Sequence, residues 1–310
     1  MGGTHIRVGA VGTDGRLLTH TESATNSGRG PEAVIATLQP LIASLTTSTE
    51  APLALGVACA GQIDPATGAV VYAPNLGWRD VPLGARLREA FRIPVVVEND
   101  VRAAAWGEFT AGAVGRGGSL VAIFVGTGVG SGAVIDGTLW RGASNAAGEV
   151  GHTQVVADGL PCRCGRHGCL EQYVSGSGFQ RRLAAAMQAG RGGRLVDVCG
   201  GDASRLTALD VYTAARAGDA LAHEFWSDAV RFLTMSTANY VTLLNPHALV
   251  MGGGVIETVP ALFDALVDAV PRLTTILSGR SLRIERARLG DLSGLIGAAS
   301  LATPARPDYA

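Results

Sequence analysis

Residues 119–140, SLVAIFVGTGVGSGAVIDGTLW, contain the pattern from which the fold class can be predicted. Apolar runs flank the glycines at 126–132, which indicates a buried strand, a glycine-rich turn and a second strand. Apolar runs that end in glycine also occur at 53–61 and near 251–255. Helical spacing of apolar residues is found between these strands, at 31–45, 101–113 and 205–240. The alternation of strands and helices predicts an α/β fold.

The strand and glycine-turn pattern occurs once before residues 100–110 and again after them. This repetition predicts two α/β domains with a cleft between them. We expect a smaller domain over 1–105 and a larger domain over 106–310. The last helix is expected to pack back on the smaller domain.

Composition excludes several classes of protein. Of the 310 residues, 47% are hydrophobic, which is enough for a substantial core, and the net charge of −1 favours neither nucleic acid nor an anionic membrane as a partner. No apolar run reaches the roughly 18 residues of a membrane span. The first residues lack the basic and apolar regions of an export signal. The sequence therefore predicts a cytoplasmic protein that binds neither a membrane nor a nucleic acid.

Asn99 and Asp100 stand at the end of the predicted buried strand IPVVVEND, residues 93–100, where it meets the helical pattern. Either residue is suited to cap the helix by accepting backbone N–H bonds. Asp100 also lies at the carboxyl end of the predicted strand, where a carboxylate can accept a proton from a substrate hydroxyl. The two interpretations are compatible, and both remain open from these residues alone.

Three glycine turns, at 2–4, 126–132 and 251–255, follow or adjoin predicted strands. Such turns expose consecutive backbone N–H groups, which form a concave site for phosphate oxygens. Each turn alone is also typical of an ordinary hairpin or loop. Together they favour one extended ligand that carries phosphate groups.

The segment GEVGHTQVVADGLPCRCGRHGCLEQ, residues 148–172, contains the most specific pattern of the chain. His152, Cys162, Cys164 and Cys169 provide one imidazole and three thiols, the donor set of a closed tetrahedral zinc site. The alternative, buried cysteines without a metal, does not suit a polar loop rich in glycine and arginine. Because four ligands leave no position for a catalytic water, the predicted zinc is structural.

Glu149 and Glu171 lie on either side of these four residues, so a bound zinc would hold both segments in place. Carboxylates can each accept several hydrogen bonds from sugar hydroxyls. The alternative for Glu171 is a residue at the start of a helix, where the dipole favours a negative charge. The alternative for Glu149 is an exposed loop charge.

The motifs occur in the order seen in the ROK family (repressor, open reading frame, kinase), which includes bacterial glucokinases, and the chain resembles that family over nearly its whole length. The matching motifs are GGT at 2–4, VENDVRAAAWGE at 97–108, GTGVGSG at 126–132, GEVGH at 148–152, CRCGRHGCLEQYVSG at 162–176 and LNPHALVMGGGV at 244–255. The resemblance implies an actin/hexokinase-like fold, with two ribonuclease-H-like domains around a cleft. It also implies a homodimer that uses ATP and Mg²⁺ to phosphorylate a hexose and holds a structural zinc ion.

The same resemblance implies a role for each matching residue. Asp100 would be the base that accepts the proton of the sugar hydroxyl. The sugar contacts would be Asn75, Asn99, Glu149, His152 and Glu171. The phosphate turns would be Gly2, Gly3 and Thr4 together with Gly126, Thr127 and Gly128, and the adenosine turn would be Gly252, Gly253 and Gly254. Glucose is the expected hexose, while N-acetylglucosamine, N-acetylmannosamine, mannose and fructose remain open.

The first turn departs from the family pattern, Asp-x-Gly-Gly-Thr after a buried strand, because Met1 stands at x. We expect a translation start assigned too late, since the other motifs are complete. One alternative is an impaired variant that binds sugar without turnover. The other is the ligand domain of a sugar-responsive transcriptional regulator whose DNA-binding region lies upstream.

Overall fold

The computed structural model describes residues 1–46, 51–112 and 118–303. The strands of these residues are β1 His5–Val11, β2 Leu17–Ala24, β3 Leu55–Cys59, β4 Gln62–Ile63, β5 Val70–Ala73, β6 Trp78–Val81, β7 Val95–Asn99, β8 Leu120–Val125, β9 Val129–Ile135, β10 Thr138–Trp140, β11 Ala248–Gly252 and β12 Arg283–Arg286. Their α-helices are α1 Gly30–Thr46, α2 Leu83–Phe91, α3 Asp100–Ala111, α4 Glu171–Val174, α5 Gly176–Gln188, α6 Gly193–Val198, α7 Ala208–Arg216, α8 Ala220–Leu244, α9 Gly254–Thr258, α10 Pro260–Leu273, α11 Ile276–Ser281 and α12 Ser293–Ala302.

The chain forms two compact units. The first unit comprises Met1–Gly117, Gly132–Gly148 and Arg288–Ala310, and the second comprises Gly118–Ser131 and Glu149–Ala287. Helix α3 is continuous across residues 105 and 106 and lies wholly in the first unit. The last helix, α12, also belongs to the first unit, where it packs on α3. The domain boundary between residues 105 and 106 stays a prediction.

The first unit contains short sheets covered by helices. Strands β1 and β2 pair antiparallel, β3 and β7 pair in parallel, and β4, β5 and β6 form an antiparallel meander. Its core includes the fully buried side chains of Ile6, Leu83 and Leu87. Helix α12 can approach α3 closely because Gly297 has no side chain. A Cβ on Gly297 would lie well inside contact distance of the Ala103 carbonyl oxygen on α3.

The second unit is built on β8, β11 and β12, which pair in parallel. Residues of β8 and β11 are buried almost throughout, as expected for parallel strands covered on both faces. Strand β9 lies next to β8, and the chain leaves this unit after Ser131 to form the β9–β10 hairpin of the first unit. Register pairs Phe124 with Gly252, so the carboxyl ends of β8 and β11 lie side by side.

The helical region predicted at 205–240 consists of two helices, α7 and α8. The chain turns between them at Gly218, whose φ of 87° interrupts the helical conformation. Asp219 then caps α8 by accepting a hydrogen bond from the Ala222 N–H. Across residues 1–46, 51–112 and 118–303, no helix combines the length and the hydropathy needed to cross a lipid bilayer.

Candidate active site and metal centre

The junction of β7 and α3 carries the predicted sugar and base residues of the first unit. The Asn99 Oδ1 accepts hydrogen bonds from the Val101 and Arg102 N–H groups at 3.0 and 3.1 Å, and its Nδ2 donates to the Gly61 carbonyl at 3.1 Å. Asn99 is therefore the N-cap of α3, as the structural interpretation of this residue predicts. One N–H of its amide remains for a further contact.

Asp100 follows the cap and is half-buried at the carboxyl end of the parallel pair β3–β7. Burial raises the pKa of this carboxyl, opposed by the positive Met1 amine, the Val101 N–H and Arg102. The Asp100 Oδ1 accepts that N–H at 3.0 Å. A carboxylate whose charge is incompletely solvated is a better proton acceptor than one in water, so Asp100 has the properties of a general base.

Hydrogen bonds from the segment after β2 hold the Gly2–Thr4 turn. The Thr25 Oγ1 donates to the Gly2 carbonyl at 2.7 Å, and the Ser27 Oγ donates to the Gly3 carbonyl at 3.3 Å. A Cβ on Gly3 would lie 2.6 Å from the carbonyl oxygen of Asn75, so glycine permits the turn to meet the exposed Asn75. The structure thus brings together Asn75 and the first predicted phosphate turn.

A groove of about 480 Å³ opens beside this turn. Its lining residues are Gly3, Thr4, Ala24, Asn26, Ser27, Gly28 and Arg29. Arg29 is exposed and forms no ion pair with any residue that the structure describes. The sequence prediction missed this cation, although an arginine within the glycine-rich segment NSGRG is a signal that would have indicated it.

The two glycine turns of the second unit adjoin each other at the ends of β8 and β11. The Gly126 carbonyl accepts the Gly176 N–H at 2.9 Å, and the Thr127 carbonyl accepts the Ser177 N–H at 3.2 Å. A Cβ on Gly126 would lie 3.9 Å from the Gly254 nitrogen. The predicted phosphate turn Gly126–Gly128 and the predicted adenosine turn Gly252–Gly254 therefore lie next to each other, at Gly126 and Gly254.

Glu171 is the first residue of α4, as its structural interpretation predicts, and its carboxylate also faces the phosphate turn. The Glu171 Oε2 accepts the Val129 N–H at 3.1 Å, and a Cβ on Gly128 would lie 2.6 Å from the same oxygen. Glu149 is exposed and directly precedes a short 3₁₀ turn, Val150–His152. Both carboxylates remain able to accept further hydrogen bonds.

The cysteine segment forms a compact group of ligands. The ligand atoms of His152, Cys162, Cys164 and Cys169 all lie within 4.8 Å of one another. The His152 Nδ1 is 3.7 Å from the Cys162 Sγ, and the Cys164 Sγ is 3.6 Å from the Cys169 Sγ. A tetrahedral zinc site with Zn–S bonds of about 2.3 Å has edges of about 3.8 Å. The arrangement therefore fits the ion that the residue types predict.

The surroundings of this group suit thiolate ligands. Although desolvation opposes it, hydrogen bonds from the backbone and side chain of Arg166 lower the pKa of the Cys164 thiol to about 6. The Gln172 Nε2 donates to the Cys162 Sγ at 3.3 Å, and the Arg181 Nε donates to the Gln172 Oε1 at 2.9 Å. Second partners of this kind orient metal ligands. Sequence reasoning did not identify Gln172 or Arg181 as members of the site.

The predicted site residues fall into two groups, one in each unit. The first unit contains Gly2, Gly3, Thr4, Asn75, Asn99 and Asp100. The second contains Gly126, Thr127, Gly128, Glu149, His152, Cys162, Cys164, Cys169, Glu171, Gly252, Gly253 and Gly254. His167, which lies between Cys164 and Cys169 in the sequence, is exposed and lies outside the four-residue metal group.

Comparison with known proteins gives matches that cover nearly the whole chain. The family model described as "ROK family" matches residues 1–305. The chain is 34% identical to a glucokinase of Halalkalibacterium halodurans over 311 residues, covering 96% of this chain and 91% of that enzyme. A ROK family glucokinase from Streptomyces griseus, solved in complex with glucose and AMPPNP, is similar with a TM-score of 0.79 and 33% identity, covering 97% of both chains.

A regulator is also similar, at a lower identity. The xylose repressor of Caldicellulosiruptor bescii is 29% identical over 245 residues, which cover 79% of this chain and 61% of the repressor. The full-length structural match to a ROK glucokinase confirms the predicted α/β, actin/hexokinase-like fold. The family model matches residues 1–305, which include the motifs of both units, so the chain belongs to the ROK family.

Proposed function

We propose that this protein transfers the γ-phosphoryl group of ATP to a hydroxyl of a hexose, with glucose as the substrate and glucose 6-phosphate as the product. The full-length similarity to glucokinases supports the reaction type and the substrate. The observation that carries the proposal is Asp100, a half-buried carboxylate with a raised pKa at the carboxyl end of a parallel strand. Such a group is suited to accept the proton of an attacking hydroxyl.

Asp100 acts as the base in this mechanism. Phosphoryl transfer depends mainly on positioning and charge stabilisation, so the base orients the hydroxyl and takes its proton late in the reaction. Asn99 holds the start of α3 in place through its capping bonds and has one N–H for the sugar. The N-cap therefore holds the backbone that carries the Asp100 carboxylate in a fixed position before the reaction.

The remaining sugar contacts are assigned by residue type and by family position. Asn75, Glu149 and Glu171 supply amide and carboxylate oxygens for sugar hydroxyls. His152 serves the metal through one ring nitrogen, because its Nδ1 faces the Cys162 Sγ, and the opposite ring nitrogen is left for the sugar. Together these side chains select a polyhydroxylated substrate.

The glycine turns bind the nucleotide in this proposal. Gly2–Thr4 and Gly126–Gly128 provide backbone N–H groups for the phosphates, and Gly252–Gly254 provides a surface without side chains for the adenosine. Arg29 lines the groove beside Gly3 and Thr4 and adds a positive charge for phosphate oxygens. When bound with ATP, Mg²⁺ would supply positive charge that neutralises the phosphates.

The zinc ion has a structural role in this proposal. Its ligands His152, Cys162, Cys164 and Cys169 would occupy all four positions of a tetrahedral ion, so none would remain for a reacting water. By joining residues 152 and 169, the ion would fix the segments that carry Glu149 and Glu171. We further propose a cytoplasmic homodimer, the assembly and location expected for an ATP-dependent kinase of this family.

A second function is favoured by one finding, the similarity to a xylose repressor. In that case the same sugar residues would serve a sugar-responsive regulator, or an impaired protein that binds sugar without turnover. Isothermal titration with glucose and a coupled assay of ADP release separate these possibilities. A kinase binds glucose and releases ADP in proportion to it, whereas a regulator or an impaired protein binds glucose and releases no ADP.

A further inference from the structure

The residue before Asn99 is a buried acid that the proposed mechanism does not use. Glu98 is only 2% exposed, at the end of β7. Its Oε1 accepts the Asn99 N–H at 2.8 Å and the Arg102 Nε–H at 2.9 Å, and its Oε2 accepts the Arg141 Nε–H at 2.7 Å. One carboxylate therefore contacts the predicted sugar residue and two arginines at once.

The two arginines connect Glu98 to the segment 141–147. Arg102 is 2% exposed on α3, and its Nη1 donates to the Ala147 carbonyl at 3.2 Å. The Ala147 N–H in turn donates to the Arg141 carbonyl at 3.1 Å, which closes the segment into a loop. Ala147 precedes Glu149, a proposed sugar ligand, by two residues.

Stability alone does not account for this network. Burying an ion pair costs several kcal/mol of desolvation, which its Coulomb attraction often only offsets, and apolar residues of similar size are commonly as stable. Buried charges with many directed hydrogen bonds do, however, define one geometry. The geometry defined here includes the backbone at Asn99 and at Ala147, next to residues assigned to the sugar.

We propose that Glu98 is a positioning residue that, through Arg102 and Arg141, fixes Asn99 and the 141–147 loop in the geometry needed for hexose binding. This inference rests on the proposed function, and it adds the triad Glu98–Arg102–Arg141 to the residues of the sugar site. Among the described residues, the hydrogen bonds of the Gly2–Thr4 turn run to His5, Thr25 and Ser27, not to the triad. The triad therefore acts on the sugar and not on ATP.

The test uses Arg141 because its side chain is 38% exposed, so its replacement is compatible with folding. In the Arg141→Met protein, the Glu98 Oε2 loses its arginine partner. We expect KM for glucose to rise by about tenfold or more, while KM for ATP stays within about twofold, because small misplacements of binding groups have large effects on the bound substrate. Arg141→Lys restores a positive donor and should return KM for glucose toward the wild-type value.

Arg86 provides the matched control. Its side chain is 35% exposed and belongs to the same unit. It forms an ion pair with Glu32, which is not a member of the triad. Arg86→Met should leave both KM values unchanged. An unchanged KM for glucose in Arg141→Met, a parallel rise of both KM values, or no recovery in Arg141→Lys would overturn the inference. Absence of turnover in the wild-type protein would instead refute the proposed kinase activity.

Discussion

Asn99 and Asp100 are neighbours with separate tasks. Asn99 caps α3 with its side-chain oxygen Oδ1, which fixes the backbone from which the Asp100 side chain extends. The Asp100 Oδ1 accepts a hydrogen bond from the Val101 N–H, and burial raises the pKa of the Asp100 carboxyl. One residue therefore supplies the geometry and the next one supplies the chemistry.

Replacement of Asp100 tests the proposed base. Asp100→Asn keeps the size and can still accept the Val101 N–H, but it cannot take a proton. We expect kcat to fall by about 10³-fold, within the range of general-base contributions, with little change in KM for glucose. Steady-state kinetics in the ADP-release assay measures both constants. Turnover close to that of the wild type would refute the assignment.

The raised pKa of Asp100 also predicts a pH-dependent stability. A folded state with a raised carboxyl pKa binds its proton more tightly than the unfolded state does, so this stabilisation is lost as pH rises through the folded pKa. Asp100→Asn avoids that loss, so its Tm relative to the wild type should increase from about pH 4 to about pH 7. Thermal melts of both proteins across this range measure the difference. A Tm difference independent of pH would contradict the prediction.

At the scale of elements, the glycine turn after β11 owes its form to one backbone conformation that other residues rarely adopt. Gly253 has φ 89° and ψ 158°, a region occupied almost only by glycine. A Cβ there would lie 2.6 Å from the Val125 carbonyl oxygen at the end of β8. The turn after β11 can therefore lie against β8 only because residue 253 has no side chain.

Adjacent glycines in this turn allow structure and binding to be separated. Gly253→Ala should lower the free energy of unfolding by about 2 kcal/mol, through strain and the clash with Val125. Gly254 has no atom within 4 Å of an added Cβ, so Gly254→Ala should fold normally. Its methyl group would still occupy the proposed adenosine surface and raise KM for ATP several-fold. Chemical denaturation and ATP kinetics of both variants measure these effects, and equal stability of the two variants would contradict the explanation.

The elements with strong local patterns were predictable from the sequence. Apolar runs and glycine turns located β8, β9 and β11, and the spacing of soft ligands located the metal group at 152–169. The short meander β4–β6 lacks such a pattern, since strands of two to four residues carry too little periodicity. The buried role of Glu98 was not visible either, because it depends on Arg141, which is 43 residues away in the chain.

At the scale of the whole molecule, two units each contribute one part of the proposed machinery. The first unit holds the base and the cation-lined groove, and the second holds the metal group and the paired glycine turns. A bound zinc ion would join His152, at the end of the 3₁₀ turn Val150–His152, to Cys169, which precedes helix α4. Removal of zinc should therefore affect the second unit as a whole.

Zinc content and its loss test the structural metal. We expect one zinc ion per chain, and its removal by a chelator should lower Tm and raise KM for glucose, because metal binding is coupled to folding of the surrounding segment. Cys169→Ser should lose the ion. Cys199→Ser is the control, since Cys199 is buried but lies outside the metal group. Elemental analysis and thermal melts give the answer, and equal zinc content in the two variants would count against the site.

A coupled ADP-release assay with a panel of hexoses tests whether this protein is a hexose kinase. The folded, zinc-loaded wild-type protein should release ADP with glucose, and its kcat/KM for glucose should exceed that for mannose, fructose, N-acetylglucosamine and N-acetylmannosamine by about tenfold or more. The Asp100→Asn protein, assayed in parallel, should show only a trace of this activity. No ADP release with any hexose, from wild-type protein that contains zinc and retains Asp100, would contradict the proposed function.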